Sequence, residues 1–123
     1  MTAREYLLQI RSLEGTVRRH DADISRRKAL GADPREIIDL ETKQKARRSV
    51  LLQLREKITD QVSAMPREAY ADLLFFVYVR GYDLRHAARS MQYSYDRVRH
   101  IHTEALQAFE EMYAAELKKR RKG

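Results

Sequence analysis

Residues 83–101 read DLRHAARSMQYSYDRVRHI. The spacing predicts a short helix capped by Asp83 and running to about Ser90, with Leu84, Ala87, Ala88 and Met91 on its inner face. Gln92-Tyr93-Ser94 then forms a turn, and the Ser94 hydroxyl caps a following helix. The inner residues of that helix are Val98, Ile101, Ala105, Leu106, Phe109 and Met112, and it is expected to extend through Leu117. Ala87 and Ala88 are small enough for the second helix to cross closely over the first. Tyr93 plugs the turn, and the outward residues at the start of the second helix stay free.

Upstream, Met65-Pro66 interrupts the pattern, and Pro66 suits the first turn of a new helix with Glu68 near its positive end. Tyr70, Leu73, Leu74, Phe76, Val77 and Tyr78 are apolar around most of that helix, which places it in the middle of a domain. The stretch 75–79 is aromatic and β-branched enough for a buried strand, but no other segment offers it a partner, so helix is expected up to Gly81.

Two longer helices precede these. Thr2-Ala3-Arg4-Glu5 fits a capping box, and Tyr6, Ile10, Leu13, Val17 and Ile24 then recur in steps of three, four and seven, with His20 in the remaining slot. This helix is expected to end near Leu30, where Gly31-Ala32-Asp33-Pro34 supplies a stop and a new cap. The next, from Arg35 to about Ser63, carries a seam of Ile37, Leu40, Gln44, Arg47, Leu51, Leu54, Ile58 and Val62. The short connection makes the pair antiparallel. His20 and residues 21–23 then lie near Gln44 and Arg47, either as a polar layer that sets register or as the edge of the seam.

The chain has 123 residues and 25 Lys and Arg against 18 Asp and Glu, a net charge of +7 that favours polyanionic partners. Four Gly, two Pro and no Cys favour helix and exclude disulfide frameworks, zinc–thiolate sites and cysteine nucleophiles. The longest apolar run, residues 73–79, is far short of the ~20 residues that span a bilayer. The opening five residues lack the apolar core of a signal peptide, so a cytoplasmic location is expected. His100 and His102 point to different sides of a helix, and no nucleophile elbow or phosphate-cradling glycine loop is present. No metal, cofactor or catalysis is therefore expected.

Two short helices joined by such a turn meet the requirements of a helix-turn-helix, whose second helix in DNA-binding versions enters the major groove. The same spacing also occurs in folds that only pack or bind protein. Residues 70–112 resemble the region-four helix-turn-helix of bacterial sigma factors, which reads a promoter element. The likeness lies in Val79-Arg80-Gly81, in Ala88, Met91, Tyr93 and Ser94 around the turn, in residues 95–101, and in the trailing 104–109. The opening Thr2-Ala3-Arg4-Glu5-Tyr6-Leu7 and the helical arm are similar to small phage and prophage proteins related to ArpU- and RinA-type regulators of late transcription.

The resemblance implies an all-α protein: an antiparallel helical hairpin over residues 1–64, a three-helix sigma region-four-like domain over 65–117, and a basic tail over 118–123 that should fray. It places Ser94, Tyr95, Asp96, Arg99 and His100 toward DNA, with Arg85, Arg89 and Arg97 flanking the groove and neutralising phosphates. The chain departs from the sigma pattern at Tyr95, where many sigma factors carry a basic or small residue, and at Gln92, where Gly is frequent. From the residues alone, Tyr95 either contacts a base or packs against the third helix, and Arg85 and Arg89 are either phosphate clamps or a solvated face. The tail is either a nonspecific nucleic-acid arm or only solubilising.

The implied function is sequence-specific binding of double-stranded DNA by a phage or prophage transcription regulator in the cytoplasm of a bacterial host cell. The hairpin would form a homodimer or contact RNA polymerase. The alternatives are a phage small terminase subunit and a coiled-coil adaptor that never touches DNA.

Overall fold

The computed structural model describes residues 1–122, with side chains through Lys118. Every regular element among them is helical: α1 (Ala3–Leu7), α2 (Gln9–Ala29), α3 (Pro34–Ser63), α4 (Glu68–Leu74), a π-helical turn (Phe75–Val79), α5 (Leu84–Met91), α6 (Tyr95–Met112) and α7 (Ala114–Lys122). The capping box at Thr2 forms as expected, the hydroxyl accepting from the Glu5 amide and the Glu5 carboxylate accepting from the Thr2 amide. The expected first helix is resolved into α1 and α2 by a slackened turn at Leu8, whose amide still donates to the Arg4 carbonyl at 2.9 Å.

α2 and α3 run antiparallel. Glu14 pairs with Arg55, Asp21 with Arg48 and Lys28 with Glu41, so positions advance on one helix as they recede on the other. Val17, Ile24 and Ile37 are buried between them, and so is Gln44. Its amide nitrogen donates to the Val17 carbonyl at 2.7 Å and to Asp21 Oδ1 at 2.9 Å, while its oxygen accepts from Arg47 at 3.3 Å. Gln44 therefore occupies the seam itself and not its edge. Every other register would leave its amide without partners at a cost of about 1–3 kcal/mol.

α6 is the element on which most others rest. Its Ala105 and Phe109 join Ala3, Tyr6, Leu7, Ile10, Ile58, Val62, Met65, Leu74, Tyr78, Val79 and Leu117 in the larger core. This core draws on both sides of residue 64, so the base of the hairpin and the C-terminal helices share one interior. Leu73, Ala87, Ala88, Val98 and Ile101 form a smaller second core. The π-helical turn divides its five apolar residues between the two. Phe75, Tyr78 and Val79 face the larger, Phe76 the smaller, and Val77 touches both. The Arg80 amide donates to Phe75 and the Tyr82 amide to Phe76, each at 2.9 Å, which widens the backbone enough to point bulky side chains both ways.

Two boundaries differ from expectation. Pro66 lies in the connection, because α4 begins only at Glu68 after an uncapped Arg67. The last long helix does not continue through Leu117. It stops at Tyr113 (φ −115°, ψ 28°), where the Tyr113 hydroxyl donates to the Gln61 carbonyl at 2.8 Å and α7 restarts. In α7 Leu117 is buried and Glu116 pairs with Lys57, which holds the helix start on α3. Gly123 and the side chains after Lys118 lie outside the described residues.

The turns after α2 and α5 share one hydrogen-bond design. Ala32 donates to Arg27 and Gly31 to Lys28; Tyr93 donates to Ala88 and Gln92 to Arg89. Both need a left-handed residue, which is Gly31 (φ 77°) in the first and Gln92 (φ 60°) in the second. A side chain at that φ costs about 1 kcal/mol that glycine avoids. Gln92→Gly should therefore raise unfolding free energy by roughly 0.5–1 kcal/mol, and Gln92→Val should lower it by a similar or larger amount. Urea denaturation of the three proteins checks both signs.

Candidate nucleic-acid interface

Ser94 has extended backbone (φ −67°, ψ 155°), and its hydroxyl accepts from the Arg97 amide at 3.1 Å. From that cap, Val98, Ile101, Ala105 and Phe109 turn inward and are buried. Asp96, Arg99, His100 and Thr103 are thereby left on the outer face, all exposed. Arg85, Arg89, Ser94 and Arg97 are exposed as well. The close approach of α5 to α6 rests on Ala87 and Ala88, whose side chains are almost fully enclosed.

Part of the expected set converges on one ring. The Arg85 guanidinium lies 4.2 Å from the centroid of Tyr95, and the Arg99 guanidinium lies 5.9 Å from the same centroid. Tyr95 is half-buried and belongs to neither core. Its face orients cations from both helices. Asp96, 3.8 Å from Arg99 and in open solvent, offsets little of that charge. Arg97 sits on the other flank of α6 and lies 4.0 Å over Tyr93, the residue plugging the turn. Arg89 and His100 are exposed without joining the Tyr95 group.

Two further features have no signal in the residue pattern. Phe76, Tyr82 and His86 form a stacked ladder, with centroids 5.5 Å and 3.7 Å apart and ring planes within 1° and 11°. The ladder exists because the π-helical turn carries Phe76 beneath Tyr82. His102 is half-buried, and its Nε2 lies 2.8 Å from the Tyr78 hydroxyl, which joins α6 to the π-helical turn. Burial, with Arg4 adding to it, holds the His102 pKa below its ordinary value, and burial pushes the Tyr78 hydroxyl up.

Among the described residues no three His, Asp or Glu side chains converge to hold a metal ion, and no helix is long and apolar enough to cross a membrane. The chain matches no protein-family model, no curated protein and no solved structure.

His102 favours its neutral form in the folded protein, so its contribution to stability is complete above the unfolded-state value of about 6.5 and is lost as pH falls below it. Urea denaturation at pH 7 and pH 5 should show stability declining on acidification. His102→Gln, which keeps a partner for Tyr78 but cannot titrate, should shrink that decline.

Proposed function

We propose that the chain is a sequence-specific DNA-binding regulator, with α5 and α6 acting as a helix-turn-helix of the sigma region-four type and the first residues of α6 entering the major groove. The observation that carries this reading is the meeting of exposed Arg85 and Arg99 on the half-buried Tyr95 ring at the start of α6. Cations from two helices are preset there, beside a helix N-terminus whose positive end attracts phosphate.

In this reading Arg99 contacts guanine or phosphate, Asp96 accepts from cytosine, and His100 touches a base or the backbone. Arg85, Arg89 and Arg97 bind phosphates on either side, and Ser94 combines helix cap with phosphate contact. The work is recognition, without catalysis, metal or cofactor. The resemblance in residues 70–112 supports action at a promoter, and the likeness of the arm to small phage regulators supports a phage or prophage origin and a role in the bacterial cytoplasm.

The antiparallel hairpin of α2 and α3 then serves as the arm. Leu30, Ile38, Val50 and Leu52 are all more than half exposed on it, an unusual concentration of free aliphatic side chains. That same observation favours a second reading, an adaptor that binds RNA polymerase or another protein through the arm and leaves DNA untouched. A homodimer through the arm would instead space two half-sites on DNA.

Selection of bound fragments from phage and host DNA, read by sequencing, should enrich one upstream site. On that site Arg99→Ala and His100→Ala should each weaken binding about tenfold or more, given about 1–3 kcal/mol for a base contact. Arg89→Ala should weaken all sequences alike and flatten the dependence of affinity on salt. Retention that ignores all three substitutions would transfer the function to the arm.

A further inference from the structure

A second concentration of positive charge lies away from the start of α6, where α2 passes the π-helical turn. Arg11 and Arg18 of α2, Arg55 of α3, and Arg80 beside Gly81 line a cavity of about 420 Å³, in which Glu14 is the one acidic lining residue. Arg11 and Arg18 are two helical turns apart and so stand on the same side of α2. Glu14 is already engaged by Arg55, whose other terminal nitrogen donates to the Val79 carbonyl at 3.3 Å. Arg55 thereby also covers a carbonyl that would repel an anion.

Arg11, Arg18 and Arg80 are left without a carboxylate in salt-bridge range among the described residues. The contrast on the same hairpin is Arg27, shared between Asp23 and Glu36, and Arg48, held by Asp21. Three guanidinium groups free of carboxylates, of which Arg80 also lies 5.9 Å from the Tyr82 ring centroid, repel one another around one concavity and focus a positive potential into it. Guanidinium forks match pairs of phosphate oxygens. The volume lies within the ~300–1,000 Å³ of small-ligand sites, which gives room for more than a single phosphate.

We propose that this cavity is an anion site for phosphate groups, bound by Arg11, Arg18 and Arg80, with the Arg55–Glu14 pair as its fixed wall. The phosphate comes either from a nucleic-acid backbone along the base of the hairpin or from a free phosphorylated ligand. Nothing in the site depends on the start of α6, so it stands apart from the groove-reading proposal.

Inorganic pyrophosphate titrated at constant ionic strength, followed by the arginine Nε–H signals in NMR and by Tm, tests it. Saturable shifts should be confined to Arg11, Arg18, Arg80 and the Gly81 amide, with a rise in Tm. The double substitution Arg11→Gln and Arg80→Gln should weaken pyrophosphate about tenfold or more with little change in the ligand-free Tm, since it relieves like-charge repulsion and removes only the exposed contact of Arg80 with Tyr82. Arg18→Gln alone should weaken it in the same direction. Shifts that never saturate, shifts spread equally over Arg85, Arg89 and Arg99, or unchanged binding by the variants would overturn the site. Adding duplex DNA to the saturated protein separates the sources: displacement assigns the cavity to backbone phosphate, and retention assigns it to a free ligand, the site standing in both cases.

Discussion

Phe109 is enclosed by residues from almost every part of the chain, and the rest of the structure depends on that burial. Its ring lies 5.9 Å from Tyr6 and 4.7 Å from Tyr113, in the core completed by Ile58, Val62, Leu74 and Leu117. α6 is thus anchored near its C-terminal end to the first helix, to the base of the hairpin and to α7. Its N-terminal end needs only the smaller core under Val98 and Ile101, which leaves one side of the helix start open to solvent. Burying an aromatic side chain is worth about 1.5–3 kcal/mol, and truncation to Ala costs about 3–5 kcal/mol. No contact at the exposed end of α6 approaches that.

The arm follows a different economy. Beyond its base the hairpin buries little apart from Val17, Ile24, Ile37 and Gln44, and ion pairs such as Arg27–Glu36 and Lys28–Glu41 line its outside. Exposed pairs of this kind add little stability. They and Gln44 set the alignment of the two helices, because a shift of one turn would separate the pairs that cross between them and pull the Gln44 amide from its partners. A hairpin that is well aligned yet thinly packed leaves Leu30, Ile38, Val50 and Leu52 exposed.

Much of the helical plan was legible in the residues. Thr2, Asp33, Asp83 and Ser94 each cap the helix they were expected to cap, since an N-cap is a contact between neighbours two or three positions apart. The boundaries that slipped depend on distant partners. Tyr113 ends α6 while its hydroxyl reaches the Gln61 carbonyl, and Pro66 stays outside α4 although its chemistry suits a first turn. The candidate interface was legible as a set of outward positions on α6, because helical periodicity follows from the chain alone. Which of them would meet was not: Arg85 joins Tyr95 and Arg99 only because Ala87 and Ala88 bring α5 close, whereas Arg97 settles on Tyr93.

The order of residues by itself determined most of the helices, their caps, the place of the turn at residues 92–94 and the inward faces, all of which are local or periodic properties. Tertiary structure decided that residues 1–64 and the C-terminal helices share one interior, that Gln44 lies inside the seam, and that residues 75–79 widen into a π-helical turn serving two cores at once. It also gathered Arg11, Arg18, Arg55 and Arg80 around one cavity, although they come from three separate segments. Such groupings arise when close packing leaves only one arrangement in which every large apolar side chain is covered. That requirement acts on the whole chain together and on no single stretch of it.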